Sequence, residues 1–271
     1  MLIKRQEYFF VPLFLLLITL TATNFIPVIA AALVLIFAMV LSLYQYLLQY
    51  NKPLGFYLCW FLAIVLGIAI GLYRPSGFSY PLVFSTNQLY EGGLPFSLYV
   101  NTAKLFAGYI IICFLFSPKS QGDIYIRSSL QQYVFAVSLG VIVVLIAGLF
   151  LGLEFHLKSL NYIVMFGLAN LLVTCIAEEA FMRLLLQAQI QKFLSVKVKN
   201  VFWLEAIPLL IATLIFVVTH IVTSLNAIMV FGLAGFTYGL VYSLTKNLWA
   251  CVAIHFTVNI IHFSFLTYPL V

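Results

Sequence analysis

The stretch Asn170-Leu-Leu-Val-Thr-Cys-Ile-Ala-Glu-Glu-Ala-Phe-Met-Arg-Leu-Leu-Leu186 places two adjacent carboxylates, Glu178 and Glu179, and the guanidinium of Arg183 inside an apolar run. Around it lie further helix-length apolar windows near 8–23, 26–48, 54–73, 104–117, 129–153, 204–222, 226–245 and 248–268, the quoted stretch falling in a window near 160–190. Hydrophobic residues make up 65% of the 271 and charged residues 7%, and the mean hydropathy is +1.15. A membrane span needs roughly 20 consecutive apolar residues, and no soluble domain has this balance. The expected fold class is therefore all-α: a polytopic transmembrane helix bundle with eight or nine spans and a polar intramembrane cavity. The windows near 8–23 and 104–117 are short for a span. A charge at the centre of a membrane helix costs about 2.5–3.5 kcal/mol on insertion scales. Three such groups in six residues mark a site that faces protein or water rather than lipid.

The remaining charge reads as topology. The net charge is +6, from 13 Lys and Arg against 7 Asp and Glu. With nine spans and the N-terminus inside, the inner segments hold nine basic residues (Lys4, Arg5, Lys52, Lys119, Arg127, Lys192, Lys197, Lys199 and Lys246). The outer segments hold three, Arg74, Lys104 and Lys158, and Arg183 stays in the membrane. That asymmetry fits the positive-inside rule and points to a cytoplasmic N-terminus; the location expected is a bacterial inner membrane. Short basic clusters of this kind form no electrostatic stripe, so no nucleic-acid partner is expected. The partners expected are the lipid bilayer and a membrane-associated protein or peptide. The four cysteines, Cys59, Cys113, Cys175 and Cys251, lie in apolar runs without a Cys-x-x-Cys pair and read as small buried hydrophobes. Residues 74–103, rich in Pro, Gly, Ser and Tyr, form the longest polar break and read as an interfacial loop.

Within the last four windows the polar residues are few and spaced by turns. Glu179 and Arg183 are four apart and can pair on one helix face. Glu178 points about 100° away from Glu179 and lines up with Thr174 and Asn170 instead. Phe216 and His220 are one turn apart on the next helix, and His255 and Asn259 one turn apart on the last, with His262 on roughly the same face. At about 1.5 Å per residue, Glu178 lies roughly 21 Å from Lys192, His255 roughly 14 Å from Lys246, and His220 roughly 18 Å beyond Pro208 if the span begins there. On that reckoning all three converge near the midplane.

The chemistry this pattern supports is hydrolysis. It needs an activated water, donors for a tetrahedral oxyanion and a proton for the leaving amine. Glu178 and His220 can hold and deprotonate a water, His255 and Asn259 can donate to the oxyanion, and Glu179, Arg183 and Phe216 can support them. Neither a Ser-His-Asp set nor His-Glu-x-x-His is present. Intramembrane Glu, His and Arg also mark proton relays, so a proton-coupled transporter is the rival reading, with a non-catalytic immunity or scaffold protein as a third.

Glu178-Glu179-x-x-x-Arg183, Phe216-x-x-x-His220 and His255-x-x-x-Asn259, in this order, resemble the three motifs of the CAAX protease and bacteriocin-processing family, the type II CAAX prenyl endopeptidase or Abi group of intramembrane proteases. Thr245-Lys-Asn-Leu-Trp-Ala250 resembles the approach to the family's last motif. The resemblance covers about 160–265. It implies that residues 156–271 are the catalytic part of the membrane domain, preceded by N-terminal transmembrane helices over 1–155. It also implies an endopeptidase whose catalytic residues are Glu178, His220, His255 and Asn259. In eukaryotic members the substrate is a prenylated C-terminus, whereas some bacterial relatives are linked to bacteriocin maturation or self-immunity. The resemblance favours a glutamate-activated water, so no metal cofactor is expected. If zinc is bound, Glu178, His220 and His255 are the residues to hold it.

Overall fold

The computed structural model describes residues 2–116, 129–221 and 223–269, with side chains from Phe9 onward. Lys119 and Arg127, and the side chains of Lys4 and Arg5, which contribute to the inner charge count, lie outside the described residues. The described residues are mostly helical. The helices are α1 (Leu2–Ala22), α2 (Val28–Gln49), α3 (Pro53–Leu72), α4 (Thr102–Leu115), α5 (Ser129–Leu151), α6 (Leu160–Leu194), α7 (Val201–Thr219), α8 (Leu225–Thr245) and α9 (Leu248–Phe265).

By length and composition, seven helices among the described residues can cross a membrane, rather than the eight or nine expected. The difference lies in the two short windows. The apolar part of α1, Phe9–Ala22, and α4, Thr102–Leu115, are each 14 residues long, which gives about 21 Å of rise against roughly 30 Å of hydrocarbon. Exposed side chains on the other helices are those of a lipid-facing surface. Leu54 and Leu149 are 84% and 86% exposed, which water would penalise and acyl chains accept.

The helices fall into two compact units, Met1–Leu82 with Tyr99–Phe116 and Val83–Leu98 with Ser117–Val271. In the first, α2 packs against α1, α3 and α4. Asn101 caps α4 by accepting from the Lys104 amide, and Thr102 donates to the carbonyl of Phe25. In the second, α9 is central and packs against α5, α6 and α8, while α7 packs against α6 and α8.

The polar break is more than a loop. Residues 82–86 and 96–99 pair as a two-stranded sheet, β1 and β2. The run Leu-Val-Phe-Ser-Thr suits a pleated, half-buried surface, with Phe84 inward and Ser85 bonded across to Ser97 at 2.8 Å. Phe84, Leu89 and Phe96 cover an aromatic cluster in which Phe166 of α6 and Phe263 of α9 stack at 3.9 Å. Beside it, residues 154–158 run against the chain that follows α9: Phe155 bridges Leu266, the His156 amide donates to Phe265, and the Lys158 amide donates to Ser264. The Lys158 ammonium, 3% exposed, donates to the Leu266 carbonyl and lies 4.7 Å over the Tyr90 ring.

The opposite end is tied by Lys246, whose left-handed φ of 50° ends α8 and turns the chain into α9. Its ammonium bonds both oxygens of Glu205 at 2.6 Å, and Gln191 joins the same group. Asn247 then caps α9 by accepting from the Trp249 amide and donates to Gln132 of α5 at 2.7 Å.

Two outcomes follow. Removing one partner of a largely buried ion pair leaves the other charge uncompensated. Thermal unfolding in detergent should therefore show a midpoint several degrees lower for Glu205→Gln, and a smaller drop when Lys246→Met accompanies it. Burial lowers the Lys158 ammonium to about 8, whereas an unfolded lysine titrates near roughly 10.4. Between these values the unfolded chain binds more protons, so stability rises with pH across that window. Lys158→Met should abolish that rise in a pH series of unfolding curves.

Candidate active site

The site begins in α6, which does not hold one helical register. Asn170–Cys175 and Ala180–Gln187 are wide π-helical segments flanking a single α-helical turn, Ile176–Glu179. A π turn closes on the fifth residue rather than the fourth and is frequent at functional sites. The stripe expected from α-helical spacing is therefore divided. Thr174 and Glu178 line a cavity, whereas Asn170 accepts from the Cys175 thiol five residues on, at 3.0 Å. Asn170 also accepts from the Asn259 amide at 3.2 Å, across to α9.

Glu179 points the other way and is fully buried. One oxygen receives the Arg183 Nε at 2.8 Å and the other receives the His255 Nδ1 at 2.8 Å. Arg183, equally buried, donates onward from Nη1 to Gln187 Oε1 at 2.8 Å. The Gln187 amide donates to the Gly239 carbonyl and the Ser243 hydroxyl, both at 3.0 Å on α8. The Glu179–Arg183 pair expected from spacing is thus present. What spacing missed is that it forms the middle of a chain from α9 through α6 to α8. Gln187, Gly239 and Ser243 carried no sequence signal beyond the four-residue step from Arg183 to Gln187.

A carboxylate only accepts, so the bond to Glu179 places a proton on Nδ1 of His255. Its Nε2 then faces Glu178, 3.8 Å from Oε2. The imidazole is held flat by Tyr238, stacked at 4.8 Å and 23°, and edge-on by Phe216 at 6.2 Å.

His220 sits where α7 ends. Because α7 starts at Val201 and carries Pro208 inside, His220 lies 19 residues, about 28 Å, from the start of its helix, farther than the 18 Å reckoned from Pro208. It still reaches the cavity. Its Nδ1 donates to the Phe216 carbonyl at 2.7 Å, which leaves Nε2 as the nitrogen available to a cavity water. Its ring packs against Phe216 at 4.3 Å and Phe231 at 4.5 Å. His262, with Nε2 bonded to the Thr267 carbonyl at 3.1 Å, stands at the rim.

Glu178, His220, His255 and Asn259 line one cavity of about 140 Å³ with Thr174, Phe216 and Tyr238. That volume is on the order of a benzene-sized occupant. An apolar wall of Val143, Ala147, Val230 and Val258 completes it. Among the described residues, no three His, Cys, Asp or Glu side chains come together at metal-holding spacing.

Residues 160–261 match the family model described as type II CAAX prenyl endopeptidase Rce1-like. The matched span contains all three motifs, so the resemblance read from them holds over this part of the chain. Among curated proteins and solved structures, none matches.

Gly239 is where this packing is tightest. A Cβ there would lie 2.3 Å from Leu209 Cδ1 and 2.8 Å from Arg183 Nη1. Overpacking of this kind costs about 1–3 kcal/mol. Gly239→Ala should lower the thermal midpoint in detergent and, by displacing Arg183, lower any activity that depends on His255.

Proposed function

We infer that this integral membrane protein is an intramembrane endopeptidase that hydrolyses a peptide bond of a membrane-associated protein or peptide. The observation that carries the reading is the convergence of Glu178, His220, His255 and Asn259 on one cavity in an apolar bundle, within the segment that matches the Rce1-like family. Membrane helices do not gather four such groups without use.

The chemistry follows from the hydrogen bonds. A water held between Glu178 and His220 Nε2 gives its proton to the Glu178 carboxylate as its oxygen attacks the scissile carbonyl. The carbonyl oxygen becomes an oxyanion. Asn259 donates to it through its side-chain amide. His255, flanked by Glu178 and Glu179, donates through Nε2 when its ring carries both protons. Glu178 then returns its proton to the departing amine. Glu179 does not touch the substrate. It fixes the tautomer and plane of His255, and Arg183 and Gln187 fix Glu179. The basic-residue asymmetry supports a cytoplasmic N-terminus, and the membrane we propose is a bacterial inner membrane.

The test uses purified full-length protein and a peptide library. Glu178→Gln, His220→Ala and His255→Ala should each reduce cleavage to background while elution and unfolding behaviour stay those of the parent. Chelator treatment should leave the parent rate unchanged. Normal cleavage by Glu178→Gln would remove the general-base role, and substrate-dependent proton flux in proteoliposomes without cleavage would favour a transporter.

A further inference from the structure

The motif residues leave the oxyanion short of donors. Of the polar groups on the cavity wall, Glu178 only accepts when ionised. His220 commits Nδ1 to the Phe216 carbonyl, and His262 commits Nε2 to the Thr267 carbonyl. Asn259 turns its side-chain amide toward Asn170 at 3.2 Å and the Cys175 sulfur at 3.9 Å, and the Thr174 hydroxyl, one turn before Glu178, is a further donor on this wall. His255 spends Nδ1 on Glu179 and holds Nε2 toward Glu178. Oxyanion sites work through donors aimed in advance at the developing charge, and a shared amide, a shared imidazole and one rotatable threonine hydroxyl are a loosely aimed set.

Tyr238 belongs to no motif, yet it is placed beside these groups. It is 1% exposed, and the open space that it borders is the cavity. Its ring is fixed on both sides, stacked on His255 and edge-on to Phe216 at 5.9 Å. The phenol lies within electrostatic reach of Glu178 and Glu179. Buried tyrosine hydroxyls normally find a partner, but this one makes no hydrogen bond to protein among the described residues and is not sealed from the cavity. A rigid donor without a protein partner, on the wall of the cavity beside His255, is suited to a ligand oxygen.

We propose that Tyr238 is a further catalytic residue, whose hydroxyl donates a hydrogen bond to the carbonyl oxygen of the scissile peptide and holds it as the oxyanion forms. The assignment rests on the endopeptidase reading above. No proton leaves the phenol. It donates a hydrogen bond throughout and must stay protonated to do so.

Tyr238→Phe keeps the ring and its stacking and removes only the donor. Measured on the full-length enzyme with a library-derived peptide, it should lower kcat about a hundredfold, the scale of losing one oxyanion donor, with KM within twofold. A peptide phosphonate that mimics the tetrahedral intermediate should lose affinity by a similar factor, while a peptide inhibitor with an intact amide should not. A role in packing alone would leave kcat and phosphonate affinity at parent values, and that result overturns the proposal. If Tyr238→Phe does not fold, 3,5-difluorotyrosine at 238 retains shape and acidifies the phenol. The alkaline limb of kcat should move to lower pH, and an unmoved limb overturns the assignment. Parent cleavage, loss with Glu178→Gln and a parent rate for Tyr238→Phe would sink this proposal alone. An inactive parent, or an active Glu178→Gln, would sink the endopeptidase reading and this proposal with it.

Discussion

The buried carboxylate of Glu179 is the constraint on which the rest of the site depends. It is fully enclosed and bonded on one side to Arg183 and on the other to His255. A charge in that position is tolerable only while both partners hold it, and removing one partner of a buried pair costs about 3–5 kcal/mol. The pair therefore locks together three helices: α6 supplies the charges, α9 brings His255, and α8 receives Arg183 through Gln187. Once His255 is fixed by its Nδ1, its Nε2 is fixed as well, and the orientation of the cavity wall follows.

The π-helical turns in α6 serve the same end. An α-helix would set Glu178 and Glu179 about 100° apart but would carry Asn170 around to the Glu178 side. Widening the turn lets Asn170 reach Cys175 and Asn259 instead, so one helix addresses the cavity through Glu178, the core through Glu179 and the last helix through Asn170. Gly235 and Gly239 let α8 approach closely enough to take part. A Cβ at Gly235 would lie 2.9 Å from Phe216, the residue that accepts from His220.

Both ends of the bundle are secured by groups that the membrane-centred logic passes over. Lys246, Glu205 and Gln191 fix the turn that starts α9, and Lys158 with the 154–158 segment fixes the stretch that follows it. Both lysines read from the sequence as topology signals, one inner and one outer. In the fold each is almost wholly enclosed and holds an oxygen. Charge counting along a chain cannot tell an ammonium that faces lipid headgroups from one that caps a neighbouring helix, because the difference is made by residues distant in sequence.

Hydropathy alone determined that the chain is a helical membrane bundle and placed the helices of the described residues within a few positions, because apolar length is a property of each segment by itself. Helical spacing also determined the Glu179–Arg183 pair and the facing of His255 with Asn259, since four residues make one turn whatever surrounds them. Span count escaped that reasoning where two apolar stretches fall short of the bilayer. The second bond of Glu179, the part played by Gln187, the hairpin over Phe166 and Phe263, and the seat of Tyr238 beside His255 were decided only by tertiary packing. Each joins residues of different helices or strands, and a local pattern holds no information about which other element's face it will meet.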